Sequence, residues 1–160
     1  MLTRCPIAQT YERRIGKLSD DYRDKGVAVV AIQPNAPEAL RVDEPDCSGV
    51  SESLEEMKIR AEFKQLRYPY LYDGDTQSAA RAYGPQATPH AFVFDRERTR
   101  RCEGRIDNSY RAELVKTEDL RNVFDAVLAG KPVARSPHGR LRLLDQVEGK
   151  GLNYVNSKSS

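Results

Sequence analysis

Three cysteines, Cys5, Cys47 and Cys102, are the side chains of this 160-residue sequence best suited to covalent chemistry. Cys5 stands directly before Pro6 and a stretch in which Ile7, Tyr11, Ile15, Leu18 and Tyr22 recur at helical spacing. Proline suits a first helical position, where its missing N–H costs nothing, so Cys5 is expected at a helix N-terminus. Unpaired N–H groups and the positive end of the helix dipole stabilise an anion there, and Arg4 adds a neighbouring positive charge. A thiolate so placed suits attack on a disulfide or a peroxide. An unreactive cysteine near a frayed end would occupy the same position, and position alone does not separate the two.

The other candidates are weaker. Cys47 lies in an acidic loop beside Asp46, which disfavours its thiolate; it is either a resolving cysteine or a solvated bystander. Cys102 falls within an expected strand, where packing or edge exposure explains it better than catalysis. Thr88-Pro89 directly precedes an apolar strand, a place where a cis bond is sometimes built in, although trans is the commoner isomer. His90 begins that strand; it is either structural or faces a pocket near Cys5. Arg96, Arg98, Arg100 and Arg101 read as a solvated hairpin turn.

The bulk properties narrow the class. Three widely spaced cysteines without Cys-x-x-Cys are no disulfide framework, and His90 and His138 lack zinc-ligand spacing, so neither a metal nor a cofactor is expected. Twenty-six basic against 24 acidic residues give a net charge of +2, no electrostatic reason to expect nucleic acid or an anionic membrane. No apolar run approaches the roughly 18 residues that span a bilayer, and the sequence does not open on an apolar signal core. As written, the chain is expected in the cytoplasm.

The elements that must position these groups follow from pattern. Residues 7–25 read as a helix stopped by Gly26, and Val27 to Ile32 as a strand buried on both faces. Three prolines mark a loop over 34–50. Residues 51–65 form a helix capped near Ser51 or Ser53, with Leu54, Met57 and Ala61 as its buried stripe. A short strand over 68–72 ends at Asp73-Gly74, and a short helix over 76–83 ends at Gly84. Strands over 91–94 and 101–106 make a hairpin. A helix over 117–129 follows, with Leu120, Val123, Phe124, Val127 and Leu128 on one face and Gly130 as its stop. Leu141, Leu143 and Leu144 suggest one further turn of structure, and 156–160 reads as disordered. The order points to an α/β layer with a mixed sheet.

Taken together, Cys5-Pro6-Ile7-Ala8-Gln9, the apolar run ending Ile32-Gln33-Pro34-Asn35, Tyr68 to Asp73, Tyr83-Gly84, Thr88-Pro89, Glu103 to Asp107, and Leu128 to Val133 resemble the redoxin group of thioredoxin-like proteins, the alkyl hydroperoxide reductase C/thiol-specific antioxidant (AhpC/TSA) type. The resemblance covers roughly residues 3 to 134. It implies a thioredoxin-like α/β fold, a mixed central sheet flanked by helices. It implies that Cys5 stands at the active-site corner, that Thr88-Pro89 is the cis-proline turn beside it, and that the backbone there pairs with a bound thiol substrate. The implied activity is a thiol-dependent oxidoreductase acting on peroxide or disulfide through Cys5, reduced by an external thiol such as a thioredoxin, with Cys47 as a candidate resolving cysteine.

The chain differs from the family pattern at three places. The family carries one or more strands before the active-site cysteine; the expectation here is a domain over 1–134 lacking them, then a poorly structured tail over 135–160. Leu2 occupies the first cysteine position of the Cys-x-x-Cys that many relatives carry. Leu2 also stands where peroxiredoxins place a threonine, Thr3 being one residue off, and no peroxide-polarising arginine is identifiable around Thr88-Pro89. These differences set a second expectation beside the first, a redoxin-like binding module without redox chemistry, and a third, a truncated fragment with little stable fold.

Overall fold

The computed structural model describes residues 5–35 and 53–133, and the backbone of 141–143. Helix α1 (Pro6–Arg23) leads to strand β1 (Ala31–Gln33), helix α2 (Leu54–Phe63), strand β2 (Tyr70–Tyr72), helix α3 (Ser78–Tyr83), strands β3 (Ala91–Phe94) and β4 (Arg100–Gly104), a 3-10 turn (Ala112–Leu114), helix α4 (Asp119–Leu128) and strand β5 (Leu141–Leu143). The strands form two sheets. β1 and β2 are parallel, with Ala31 opposite Tyr70. β3, β4 and β5 are antiparallel in that order, with Val93 opposite Cys102 and Cys102 opposite Leu143. The result is a mixed α/β fold of thioredoxin-like type, sheets flanked by helices.

One core joins the two sheets. Tyr11, Ile15, Leu18 and Tyr22 of α1 pack with Ala31, Val93, Cys102, Ile106 and with Leu120, Val123 and Phe124 of α4. The helical stripe read from α1 therefore holds over four of its five positions; Ile7 is 47% exposed, while Ala8 beside it is fully buried. Leu128, in the last turn of α4, is exposed, and Val127 is partly buried. Gly26 and Gly130 both adopt positive φ (83° and 63°) just past these helices, a backbone that favours glycine.

Three expectations need correction. The run Val27 to Ile32 is strand only from Ala31, and it is not buried on both faces: Ala28 and Val30 are exposed while Val27, Val29 and Ala31 face the core, an extended segment covered on one side. In α2 only Met57 of the expected stripe is buried, and Leu54 is exposed. That helix is held instead by a buried ion pair: Nε and a terminal nitrogen of Arg60 donate to the two carboxylate oxygens of Glu12 on α1, at 2.9 and 3.0 Å. Ser53 does cap it, accepting from the Glu56 N–H at 3.3 Å. Finally, Leu141–Leu143 is no turn but the third strand of the antiparallel sheet.

Candidate active site

Cys5 is the N-cap of α1. Its carbonyl accepts the first helical bond, from Gln9 N–H at 3.0 Å, with Pro6 at the first helical position. Its side chain makes no capping hydrogen bond and is partly exposed. A sulfur here is thus accessible and beside the unpaired N–H groups of the first turn. Arg4, Leu2 and Thr3 lie outside the described residues, as do Cys47 and His138.

The helix that carries Cys5 is fixed along its length. Tyr11 Oη donates to Asp107 at 3.3 Å, and the Arg14 guanidinium pairs with the same carboxylate. Arg14 also donates to the carbonyls of Ser109 (2.9 Å) and Tyr110 (2.8 Å) and lies over the Tyr11 ring. Further on, Arg121 reaches Asp21 at 2.6 Å, and Tyr22 Oη donates to Asp125 at 2.6 Å. These contacts restrict how α1 can shift, and so where Cys5 can go.

The Thr88–Pro89 bond is cis, as the family resemblance implied. Thr88 lines an open groove of about 460 Å³ whose other walls include Asn35, Gln77, Arg81 and Gln86. Cys5 is not among the residues lining it, so Thr88 and Cys5 do not share this groove.

The groove rests on two arrangements that local sequence reading missed. Gln33 is fully buried, and its amide closes on Asn35 through Oε1 (accepting from Asn35 N–H, 2.5 Å) and Nε2 (donating to Asn35 O, 3.1 Å). Asp73, expected only as part of a turn, holds the start of α3. It accepts from the N–H groups of Ser78, Ala79 and Ala80 at 2.9 to 3.1 Å, and from the hydroxyls of Thr76 and Ser78. Burial works against this carboxylate, but the Ala80 N–H, the two hydroxyls and the Ala79 N–H outweigh it and hold the carboxyl below its ordinary value. Asp73→Ala is expected to cost about 2 kcal/mol, the upper end for a lost cap, and to fray α3. Amide exchange at Ala79 and Ala80 reads this directly; unchanged exchange there would rule the cap out.

The remaining candidates are sorted by burial. Cys102 is 1% exposed, and burial, with Glu103 and Asp119 nearby, pushes its thiol up to about 12. It stays protonated at neutral pH and packs the core. His90 stacks on Phe92 (centroids 4.8 Å apart) and accepts at Nδ1 from the Gln86 N–H at 3.3 Å. Of the hairpin arginines, Arg101 pairs with Asp95 at 2.5 Å and Arg100 with Glu103 at 3.1 Å. Among the described residues, no group of three or more His, Cys, Asp or Glu side chains could hold a metal ion, and no helix is long and apolar enough to cross a membrane.

A thioredoxin-like fold, a cysteine at the start of the first helix and a cis-proline before an apolar strand define a redoxin-type domain. The AhpC/TSA family model matches residues 2–101, and the chain belongs to that family. Among solved structures it is similar to an uncharacterized conserved protein from Geobacillus kaustophilus, with 33% identity and a TM-score of 0.71 over 85% of this chain and 68% of that one. No curated protein matches it.

Proposed function

We propose that this chain is a thiol-dependent oxidoreductase working through one cysteine, Cys5. The observation that supports this most is the partly exposed Cys5 side chain at the N-cap of α1, engaged in no capping bond. On a disulfide, the Cys5 thiolate attacks one sulfur, the S–S bond breaks, and the second sulfur leaves as a thiolate that takes up a proton. An external thiol then attacks the mixed disulfide and frees Cys5. On a peroxide, the sulfur attacks the terminal oxygen, the O–O bond breaks, and the departing alkoxide takes a proton, leaving a sulfenic acid. One external thiol condenses with it, releasing water, and a second thiol frees Cys5. The Thr88–Pro89 turn receives the backbone of the thiol substrate, and Cys47 is the candidate for internal resolution.

A second reading is a redoxin-like binding module without turnover. Leu2, standing where many relatives carry their first motif cysteine, favours it.

Iodoacetamide labelling at pH 7, resolved by peptide mass, separates the two when paired with turnover. Under the first reading Cys5 is alkylated several-fold faster than a cysteine in a model peptide, and Cys5→Ser abolishes both peroxide consumption and mixed-disulfide formation. Equal alkylation rates, with the same negligible turnover in wild type and Cys5→Ser, would establish the second. Sulfenic acid trapped by dimedone points to the peroxide route, and a trapped mixed disulfide alone points to the disulfide route.

A further inference from the structure

We propose that His90 is a pH-sensitive latch on the loop 84–88, the segment that forms one wall of the groove. The latch is the hydrogen bond from the Gln86 N–H to His90 Nδ1. An imidazole nitrogen accepts only when it carries no proton, so this bond requires the neutral ring with its proton on Nε2. That Nε2 is buried and has no hydrogen-bond partner among the described residues, so no second bond compensates if the first is lost. The ring is confined by its stack on Phe92, which in turn packs against Tyr83 of α3 at 5.2 Å.

Protonation at Nδ1 sets two N–H donors against each other across 3.3 Å. The bond is lost and the contact becomes repulsive. The loop then has to move, because the stack on Phe92 confines the ring. Gln86 and Thr88 both line the groove, so moving this loop reshapes it. The loop's other bonds near this point are its own or run back to α3: Gln86 Nε2 to the Gly84 carbonyl, and the Gly84 N–H to the Ala80 carbonyl.

The charged groups facing the ring set the direction. Glu103 on β4, the register partner of Phe92, favours the cation, and Arg100 pairs with Glu103. From α3 comes Tyr83, and the loop 84–88 carries no charged side chain. Burial disfavours the cation and outweighs Glu103, so His90 titrates below the ordinary histidine value of 6.5. The loop is latched at neutral pH and released on acidification. The latch works independently of Cys5, which does not line this groove.

Amide and imidazole NMR of the full chain from pH 8 to 4.5 tests it. The expected result is that the Gln86 amide proton moves upfield with the same midpoint as His90, below 6.5. In His90→Phe, which keeps a ring on Phe92 but removes the acceptor, the Gln86 amide sits at its acid position and no longer responds to pH. His138→Gln leaves the transition unchanged. A Gln86 amide that stays fixed while His90 titrates overturns the latch. So does a transition that persists in His90→Phe, or a His90 that stays neutral to pH 4.5. If His90→Phe does not fold, the shared midpoint in the wild-type protein decides.

Discussion

Arg60→Ala should cost the fold about 3 kcal/mol, the low end for breaking a buried ion pair. The Arg60 and Glu12 side chains are only 12% and 8% exposed, and they meet through two hydrogen bonds of 2.9 and 3.0 Å. Removing the guanidinium strands the Glu12 carboxylate out of water, close to Tyr68, whose buried hydroxyl has no partner among the described residues. The loss falls on α2, which buries little apolar surface beyond Met57. Arg60→Lys should lose part of this, since an ammonium cannot reproduce the two-pronged geometry. The pair Glu12→Leu with Arg60→Met should recover most of it, because no charge is then left unpaired. Urea unfolding of the three variants measures the differences. A cost below about 1 kcal/mol for Arg60→Ala would mean that water reaches the pair and compensates.

Alkaline pH should weaken the fold from about pH 9 upward, through Cys102. Its folded-state thiol is raised from 9.0 to about 12, first by burial and then by Glu103 and Asp119. Because the folded value lies above the unfolded one, the stabilisation is complete below pH 9 and is lost as pH rises toward 12. Between pH 8 and pH 10 the loss should be about 1.4 kcal/mol, one unit of pH beyond the unfolded value. Tyr22, raised to about 12 mainly by burial, and Tyr68, also raised mainly by burial, begin to add to the decline as pH nears 10 and add most of their share above it. Cys102→Ala should make the pH 8 to 10 segment shallower, most of all between about pH 8 and 9.5, while leaving the steeper fall above it. Denaturant midpoints across this range check both statements; parallel curves for wild type and variant would exclude the thiol as the source.

The parts of this molecule legible in its sequence are those set by neighbours along the chain. The spacing of Tyr11, Ile15, Leu18 and Tyr22 marks the buried face of α1 because a helix repeats locally. Cys5-Pro6 marks the start of that helix for the same reason. Gly26 and Gly130 mark helix ends because their backbones adopt positive φ. What stayed hidden depends on distant partners. Nothing near Glu12 or Arg60 announces that each meets the other across 48 positions. β5 is three residues long and becomes a strand only by pairing with β4. Asp73 before glycine is an ordinary turn signal, and its five hydrogen-bond donors appear only once α3 is folded over it. For the site, Cys5 at a helix start was readable from the residues alone. The isomer of Thr88–Pro89 was not, since local sequence favours trans; only the family resemblance pointed to cis.

The bonds that secure α1 also order events in time. Tyr11 and Arg14 are 96 and 93 positions from Asp107, Asp21 is 100 from Arg121, and Tyr22 is 103 from Asp125. On a ribosome, the helix bearing Cys5 emerges well before α4 and acquires these partners only after α4 has been made. Until then it has its pairing with Arg60 of α2 but none of these later partners, and its tyrosine hydroxyls are unpaired by them. A cell making this protein therefore handles the Cys5 thiol on an incompletely anchored helix until α4 has been made.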